Sequence, residues 1–457
     1  MGEPMGTVDG AWFRMDQAAS TADVVSLLTF RELPPVARVR QLVEERILPC
    51  LRFRERAVRG AWPSRDRWEP DPSFSLDEHV TEVQLPGGGT EALRAFVGEV
   101  ATRSLDPQRP LWRIHLVQGP NVAAIVAKIH HCLADGFALV ALLLSLADAQ
   151  EARPVSSHSL AAYRRLRPWL APAELLRDAL RSPRRAAEIG VEAAAMAVSF
   201  GRMMLLSAQH HPSLTPPLSG QRHVAWSRGL SLRDVREAAL RHGSTLNDVI
   251  LAAVAGALRS HLSIAGEAAD AEPVRALVPV NLRPGLPDPR QESLGNRFGL
   301  VFLDLPTDLD SPLARLDAVH SRMQVAKSRP DALVSFGVLA AMGMVPPLVP
   351  AAASFFARKA SVIVTNVPGP RAHLHVAGER VENAMFWVPH TGSVGLGISV
   401  LTYAGEVRIG VRADEAVTRR PEAIVDRFER EIASLGSDEA GAPAGATAPA
   451  ASGTPSP

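Results

Sequence analysis

The sequence predicts an α/β (α+β) protein built as two lobes joined by a helical linker. The chain has 457 residues, enough for two domains or one large two-lobed unit. Short β-branched strands alternate with helical segments in residues 1–150 and again in residues 221–435. Residues 151–220 are helical in pattern and rich in Arg and Pro. Residues 436–457 have few apolar anchors, so we expect a disordered tail there.

The composition favours an intracellular protein that does not bind nucleic acid. The chain has 49 Lys and Arg against 48 Asp and Glu, so no basic excess points to a nucleic-acid partner. Cys50 and Cys132 are the only cysteines, too few for a disulfide framework. The first residues show no apolar core of a secretory signal. We therefore expect a cytoplasmic protein.

The first lobe is predicted from strands and helices that alternate along the chain. Proline at position 34 or 35 suits the first turn of a helix, where a missing N–H does no harm. Three glycines, residues 87–89, mark a turn before the second helix. The predicted strands cover residues 23–30, 80–85, 113–117 and 122–129, and the predicted helices cover residues 35–47 and 91–102.

The strand at 122–129 carries the most chemical information, because it ends in His130 and His131. Successive side chains of a strand alternate faces, so only one of the two imidazoles can face a reaction centre. A neutral imidazole can accept a proton from a hydroxyl that attacks an acyl carbon, since its ordinary pKa lies near neutrality. Paired histidines also occur as metal ligands or as hydrogen-bonded core groups, and the pair alone leaves these interpretations open.

Three residues separate the histidine pair from Asp135 and Gly136. Asp135 is expected to hold the loop by accepting hydrogen bonds or by pairing with a cation. Gly136 allows a tight bend into a helix predicted over 137–146. We expect Asp135 to be structural, with Arg283 as its partner and Arg297 as the second choice, because a buried carboxylate needs a compensating charge.

Two apolar or basic segments raise the question of membrane contact. The uncharged run 332–357 is long enough for a membrane span, but prolines at 346, 347 and 350 interrupt it, so we expect a buried or interfacial helix pair. The linker carries many arginines among leucines. This pattern fits either a basic surface for anionic lipid or a solvated face between the lobes, and both interpretations stay open.

The second lobe repeats the alternation of strands and helices. Residues 245–248 form a capping segment before an apolar helix. Residues 366–370 are predicted as a turn, and Ala404-Gly405 as the turn of a hairpin. The predicted strands cover residues 224–226, 274–280, 300–305, 362–365, 397–403 and 406–413, and the predicted helices cover residues 231–242, 249–262, 313–325 and 421–435.

Several segments together resemble one family, the bacterial wax ester synthase/acyl-CoA:diacylglycerol acyltransferases. The HHxxxDG pattern at 130–136 is similar to the signature of the wider superfamily of CoA-dependent acyltransferases. Cys132 stands where the family often has Ala, and Thr365 where it often has Ser, but neither change removes a catalytic atom. The matching segments are residues 7–16 (TVDGAWFRMD), 110–112 (PLW), 130–136 (HHCLADG), 247–252 (NDVILA), 278–283 (VPVNLR), 295–299 (GNRFG) and 365–370 (TNVPGP).

The resemblance implies two chloramphenicol-acetyltransferase-like lobes with mixed sheets and a tunnel between them. It also implies that His131 is the general base, with His130 and Asp135 supporting it. In the implied reaction His131 deprotonates a fatty alcohol or a diacylglycerol, and the resulting oxygen attacks the thioester of long-chain acyl-CoA. By this resemblance acyl-CoA is a co-substrate, and we expect neither a cofactor, a metal nor a covalent acyl-enzyme.

The intermediate of such a reaction needs a hydrogen-bond donor for its oxyanion. The candidates for this role or for substrate binding are Gly136, Asn247, Thr365 and Asn366. Two of them also have a simpler explanation, because Asn247 suits a helix cap and Asn366 suits the turn predicted over 366–370.

Two alternatives to this function stay open. A condensation-domain-like enzyme would use the same base with another donor or acceptor, and a lipid-binding homologue would keep the tunnel without turnover. An intact HHxxxDG argues against the second alternative. For the leading interpretation we expect peripheral association with lipid droplets or the inner membrane surface. The sequence predicts no oligomeric state.

Overall fold

The computed structural model describes residues 2–17, 19–135, 146–148, 180, 182–267, 272–282 and 295–436. The mixed α/β architecture is as predicted. Up to residue 135 the strands are β1 (Glu3–Pro4), β2 (Asp23–Phe30), β3 (Glu55–Val58), β4 (Arg67–Pro70), β5 (Val80–Gln84), β6 (Trp112–Gly119) and β7 (Val122–His130). The helices in this part are α1 (Thr7–Arg14), α2 (Val36–Arg46), α3 (Leu76–His79) and α4 (Gly89–Thr102).

The rest of the described chain supplies the second set of elements. Its strands are β8 (Arg222–Trp226), β9 (Leu230–Ser231), β10 (Val274–Asn281), β11 (Phe298–Leu305), β12 (Val362–Pro368), β13 (His375–Val376), β14 (Glu379–Trp387), β15 (Leu396–Tyr403) and β16 (Glu406–Asp414). Its helices are α5 (Pro183–Leu205), α6 (Leu232–Arg241), α7 (Leu246–Ile264), α8 (Pro312–Ser328), α9 (Asp331–Met344), α10 (Val349–Ala357) and α11 (Glu422–Gly436).

The first sheet has the histidine-bearing strand β7 in its interior. Its described strands lie in the order β13-β14-β2-β7-β6-β5, with β7 antiparallel to both neighbours. Every residue of β7 except Ala123 is buried. A strand that is covered on both faces needs apolar residues at nearly every position, which explains the continuous apolar run in the sequence.

The second sheet belongs to the C-terminal part of the chain. Its described strands lie in the order β11-β10-β12-β15-β16-β8, and β9 also pairs with β16. Helix α7 packs in the core of this part, where Val249, Ile250 and Leu258 are fully buried. The apolar length of this helix therefore reflects burial inside the protein.

The C-terminal part of the chain supplies two strands, β13 and β14, to the first sheet. Strand β14 lies in the predicted second lobe, yet it pairs with β2 in the first sheet, with Trp387 opposite Val25 and Ala384 opposite Leu28. No sequence signal identified this strand. The division of the chain at residues 150 and 221 stays a prediction. Residues of the predicted second lobe complete the first sheet.

Most predicted elements are present, and for one of them both observed ends agree with the predicted ends. β2 covers the predicted residues 23–30. The hairpin β15–β16 turns at Ala404 and Gly405, whose φ angles of 48° and 83° suit such a tight turn. Pro35 is the N-cap of α2 and not part of its first turn, because its ψ of 120° is not helical.

Two predicted boundaries in the second lobe are wrong. Helix α7 begins at Leu246, and Thr245 and Asp248 cap it by exchanging hydrogen bonds, so Asn247 is not the cap. Strand β12 continues to Pro368, which places Asn366 inside a strand and not in a turn. The reason is the parallel pairing of β12 with β15, which keeps the backbone extended beyond the polar residue.

The apolar run 332–357 forms the helix pair α9 and α10, with a 3-10 turn at Pro346–Leu348 between them. The two helices are bent by 116° at this break. Within the described ranges, no single helix is long and apolar enough to cross a membrane, although this bent pair passes the same test by length and composition. The prolines therefore break the run as predicted.

Several predictions fall outside the described residues. They are the helix predicted over 137–146 apart from its last residue, most of the linker, Gly136, Arg283 and nearly all of the tail.

Candidate active site

His131 directly follows β7, at the point where the first sheet meets α1. Its backbone N–H donates to the carbonyl of Ala22 at 2.7 Å, and the N–H of His130 donates to Leu111 at 3.0 Å. Both peptide groups of the pair are therefore anchored to neighbouring segments. This anchoring fixes where each ring can lie.

The ring of His131 lies between aromatic side chains. It stacks on Trp12 with centroids 4.2 Å apart and planes 23° apart, and Phe298 lies at 5.3 Å. His131 is 7% exposed. Burial lowers the pKa of His131 from 6.5 to about 4, against the opposing effect of the Asp135 carboxylate. The imidazole is therefore neutral at physiological pH, as a general base must be.

His130 has different partners and is more deeply buried, at 1% exposure. Its Nε2 atom lies 3.0 Å from Oδ2 of Asp16, and its Nδ1 accepts from the backbone N–H of Cys132 at 3.1 Å. With both nitrogens engaged, His130 serves to hold the chain behind His131.

Cys132 is fully buried, and burial raises the pKa of its thiol. A reactive cysteine needs a depressed pKa and some exposure, because the thiolate is the nucleophile. The environment of Cys132 therefore suits a packing residue.

Asp135 joins the histidine loop to the second half of the chain. It is 1% exposed, and its Oδ2 accepts from the backbone N–H of Arg297 at 2.9 Å. Ala134 also forms a parallel bridge with Gly295. Arg297, the second choice as partner, thus contacts Asp135 through its main chain, and the pairing with Arg283 stays a prediction.

A buried polar cluster lies beside this seam. Asp9 is 4% exposed, and its Oδ1 accepts from both the backbone N–H of Asn296 at 2.9 Å and the Nδ2 of Asn296 at 2.8 Å. Its other oxygen pairs with Arg52 at 3.1 Å. The Nδ2 of Asn296 also donates to the carbonyl of His131 at 2.8 Å. Helix α1 is therefore linked to the histidine loop through Asn296.

The predicted oxyanion candidates form a separate group. The Nδ2 of Asn366 donates to Oδ1 of Asn247 at 3.3 Å, which sets the orientation of the Asn247 amide. Thr365 precedes Asn366 on β12 and is 6% exposed. The hydrogen bonds and ring contacts of His131 in the described chain do not include these three residues, so their role stays a prediction.

An apolar cavity opens beside the site. Its volume is about 560 Å³ including its open mouth, and its wall is almost entirely apolar. Trp12 belongs to this wall and also stacks on His131, so the cavity reaches the ring that lies against His131. Other lining residues are Met15, Leu300, Phe302, Leu339, Met342 and Phe356.

Sequence reasoning missed Asp9, Trp12 and Asn296 as site residues. All three lie in segments that carry the family resemblance, residues 7–16 and 295–299. Their place in these segments was the signal that could have identified them as site residues. Their roles depend on a contact between residues 287 positions apart, which no local pattern predicts. In the described ranges, no three His, Cys, Asp or Glu side chains lie close enough together to hold a metal ion.

The chain is similar to several known proteins over most of its length. A probable diacylglycerol O-acyltransferase of Mycobacterium tuberculosis is 30% identical over 407 residues, which are 86% of this chain and 86% of the relative. A solved wax ester synthase/diacylglycerol acyltransferase from Marinobacter aquaeolei has a similar fold, with a TM-score of 0.65 at 21% identity, covering 94% of this chain and 98% of the other.

The starter condensation domain of rhizomide synthetase, solved with C8-CoA and Leu-SNAC, shares the fold with a TM-score of 0.60. It is 15% identical, and the match covers 95% of this chain and 94% of the domain. The model of the wax ester synthase/diacylglycerol acyltransferase catalytic domain matches residues 5–250, and that of the WS/DGAT C-terminal domain matches residues 294–436. The chain therefore belongs to the wax ester synthase/diacylglycerol acyltransferase family.

Proposed function

We propose that this acyltransferase moves a long-chain acyl group from acyl-CoA to a diacylglycerol or a fatty alcohol, with His131 as general base. The reaction class follows from the family, whose members are CoA-dependent acyltransferases. The observation that carries the role of His131 is its buried, neutral ring, which stacks on Trp12 of the cavity wall. A base of this kind suits a hydroxyl that is attached to a hydrophobic substrate.

The reaction needs one proton acceptor. His131 takes the hydroxyl proton of the acceptor while the oxygen forms a bond to the thioester carbon, whose carbonyl electrons move to its oxygen. When this oxyanion collapses, the carbon–sulfur bond breaks. The imidazolium then returns its proton to the departing thiolate, so the products are an ester and free CoA.

The apolar cavity supports a long alkyl chain as part of the substrate. Transfer of a methylene group from water to such a wall is worth about 0.8 kcal/mol, so a long chain provides much of the binding energy. Ser335 is a polar lining residue, but its hydroxyl donates to Ala332 and accepts from the N–H of Leu300. Its polar atom is thus satisfied by the protein.

The oxyanion donor is proposed to be Asn247, with Thr365, Asn366 and the backbone at Gly136 as further candidates. Because Asn366 donates to Oδ1 of Asn247, the Nδ2 of Asn247 is left to donate elsewhere. This orientation supports a donor role, since an oxyanion needs N–H groups that are positioned before the reaction.

Peripheral association with a lipid droplet or membrane surface is part of the proposal. The bend between α9 and α10 exposes Met344 and Leu348, at 60% and 59%. The opposite side of the same helix pair lines the cavity. A hydrophobic acceptor would therefore leave a lipid surface next to the cavity that receives it.

The test is an assay of CoA release from palmitoyl-CoA by the purified protein. Hexadecanol, diacylglycerol, an alkyl amine or no acceptor is supplied in parallel, and both free thiol and the ester product are measured. We expect ester and free CoA in equal amounts with one or both alcohols. The His131→Ala variant serves as the control for non-enzymatic transfer.

Product with the amine alone would favour a condensation-domain-like enzyme. Binding of palmitoyl-CoA without turnover on any acceptor would favour a lipid-binding homologue. Either outcome would contradict the proposed reaction.

A further inference from the structure

The side-chain amide of Asn296 is held in one orientation. One of its Nδ2 hydrogens goes to Oδ1 of Asp9 at 2.8 Å and the other to the carbonyl of His131 at 2.8 Å. The backbone N–H of Asn296 also donates to Asp9 at 2.9 Å. Because both hydrogens are committed, the position of Oδ1 is determined as well.

Oδ1 of Asn296 and Nδ1 of His131 are both buried, and neither has a hydrogen-bond partner in the described chain. The Asn296 side chain acts on the ring as an acceptor and raises the pKa of His131, as does the carbonyl of His131 itself. A buried donor or acceptor without a partner is costly, and a proton on Nδ1 directed to Oδ1 of Asn296 would satisfy both atoms.

We infer that Asn296 is a positioning residue that keeps the proton of His131 on Nδ1, and that Asp9 anchors Asn296 for this purpose. With the proton on Nδ1, Nε2 carries the lone pair that accepts the substrate proton. This inference rests on the proposed function, because it assigns the nitrogen that performs the proposed step. In this role Asn296 acts through His131 and does not touch the substrate.

Arg52 explains why Asp9 can serve as the anchor. Asp9 is 4% exposed, and burial raises the pKa of its carboxyl, while Arg52 at 3.1 Å opposes this shift. The ion pair uses Oδ2, which leaves Oδ1 for the two bonds from Asn296. The order of dependence is therefore Arg52, Asp9, Asn296 and His131.

The experiment uses the full chain with ¹⁵N-labelled histidine. Two-bond proton–nitrogen spectra distinguish a protonated ring nitrogen from a bare one, and the missing signals of His131→Ala identify those of His131. We expect the Nδ1–H form in the unchanged protein. Asn296→Ala should give a mixture of both forms, because the acceptor for Nδ1–H is gone.

The same variants are assayed for acyl transfer. We expect kcat of Asn296→Ala to fall roughly 10- to 100-fold, the range for groups that orient an imidazole from behind, with a smaller change in KM. Asp9→Asn keeps one acceptor and should show a smaller fall and a partial shift of the ring signals. The matched control is Asn383→Ala, which removes a bond to Thr29 at 2.9 Å in the first sheet.

The Nε2–H form in the unchanged protein would overturn the inference. So would Asn296→Ala with the Nδ1–H form intact and kcat within about twofold of the unchanged protein. If Asn296→Ala does not fold, Asp9→Asn decides by the same ring signals. A protein that shows the expected ring signals but transfers no acyl group would contradict the proposed function and not the inference. Failure of the inference and failure of the proposed function are therefore distinguishable.

Discussion

At the scale of single residues, the site depends on how differently two neighbouring histidines are held. His131 is neutral between Trp12 and Phe298, whereas His130 is engaged by Asp16 and the backbone of Cys132. Strand alternation separates the two rings, and their surroundings give them different tasks.

We therefore expect His131→Ala to abolish CoA release while the protein stays folded. His130→Ala should reduce activity less and lower the free energy of unfolding by about 1–3 kcal/mol, because Asp16 and the N–H of Cys132 lose their partner. Circular dichroism, thermal unfolding and CoA release check both variants. Equal activity of His131→Ala and the unchanged protein would exclude His131 as the base.

The pH profile of acyl transfer tests the buried ring directly. We expect no loss of activity as the pH falls through 6.5, the ordinary pKa, and a loss as it falls through about 4. The folded pKa is the lower one, so the unfolded chain binds this proton first, and His131 costs about 3 kcal/mol of stability as the pH falls from 6.5 to 4. An acid limb centred near 6.5 would contradict the buried neutral base.

At the scale of elements, the helix pair α9 and α10 has two different apolar faces. Its inner face lines the cavity with Leu339, Ala353 and Phe356, and its bend exposes Met344 and Leu348. Gly343 allows α9 to lie against α1, since a Cβ there would meet the carbonyl of Thr7 at 1.7 Å. Helix α9 thus connects the exposed bend to the helix that carries Trp12.

The exposed bend should bind lipid surfaces without crossing them. Met344→Glu with Leu348→Glu is expected to lose cosedimentation with vesicles of phosphatidylcholine and phosphatidylglycerol, because charges oppose apolar insertion. Leu240→Glu, at an exposed leucine of α6 with 78% exposure, is the matched control. High salt or carbonate should extract the unchanged protein, and a need for detergent would contradict peripheral binding.

The cavity wall should set the preferred acyl or alkyl length. Ala353→Phe fills part of the cavity, and excluding two methylene groups would cost about 1.6 kcal/mol, roughly tenfold in kcat/KM for a long chain. We expect the ratio of palmitoyl-CoA to octanoyl-CoA activity to fall accordingly. Ala351→Phe, on the exposed side of α10, controls for the added ring. An unchanged activity ratio would show that the acyl or alkyl chain of the substrate does not bind in this cavity.

At the scale of the whole molecule, the site exists only where the two halves of the chain meet. Asn296 and Arg297 bind the histidine loop from the second half, and β14 completes the first sheet. Arg412 of β16 is fully buried and donates to the carbonyl of Asp23 at 2.8 Å. A change in how the halves pack would therefore move the residues behind His131.

Asp135 tests this dependence. Asp135→Asn should lose activity and thermal stability together, by about 3–5 kcal/mol if it leaves a buried charge without its partner. Arg283→Ala should resemble it. In a double-mutant cycle, a double variant no worse than either single one supports the pair, whereas two losses that simply add would show that the residues are not partners.

Local sequence determined much of this protein. The strand-like run DVVSLLTF predicted β2 over its observed range, and Ala404-Gly405 marked the hairpin turn. The motif around His131 predicted a strand that ends in two histidines, and β7 ends at His130 with His131 directly after it. Such features depend on neighbours in the chain, whose positions are constrained by covalent geometry.

Only the tertiary structure decided what surrounds His131. The low pKa of His131 comes mainly from burial, and burial depends on Trp12 and Phe298, which lie far from it in the chain. The bond between Asp9 and Asn296 and the place of β14 in the first sheet join residues hundreds of positions apart. No periodicity encodes such contacts, because they arise when the two halves pack against each other.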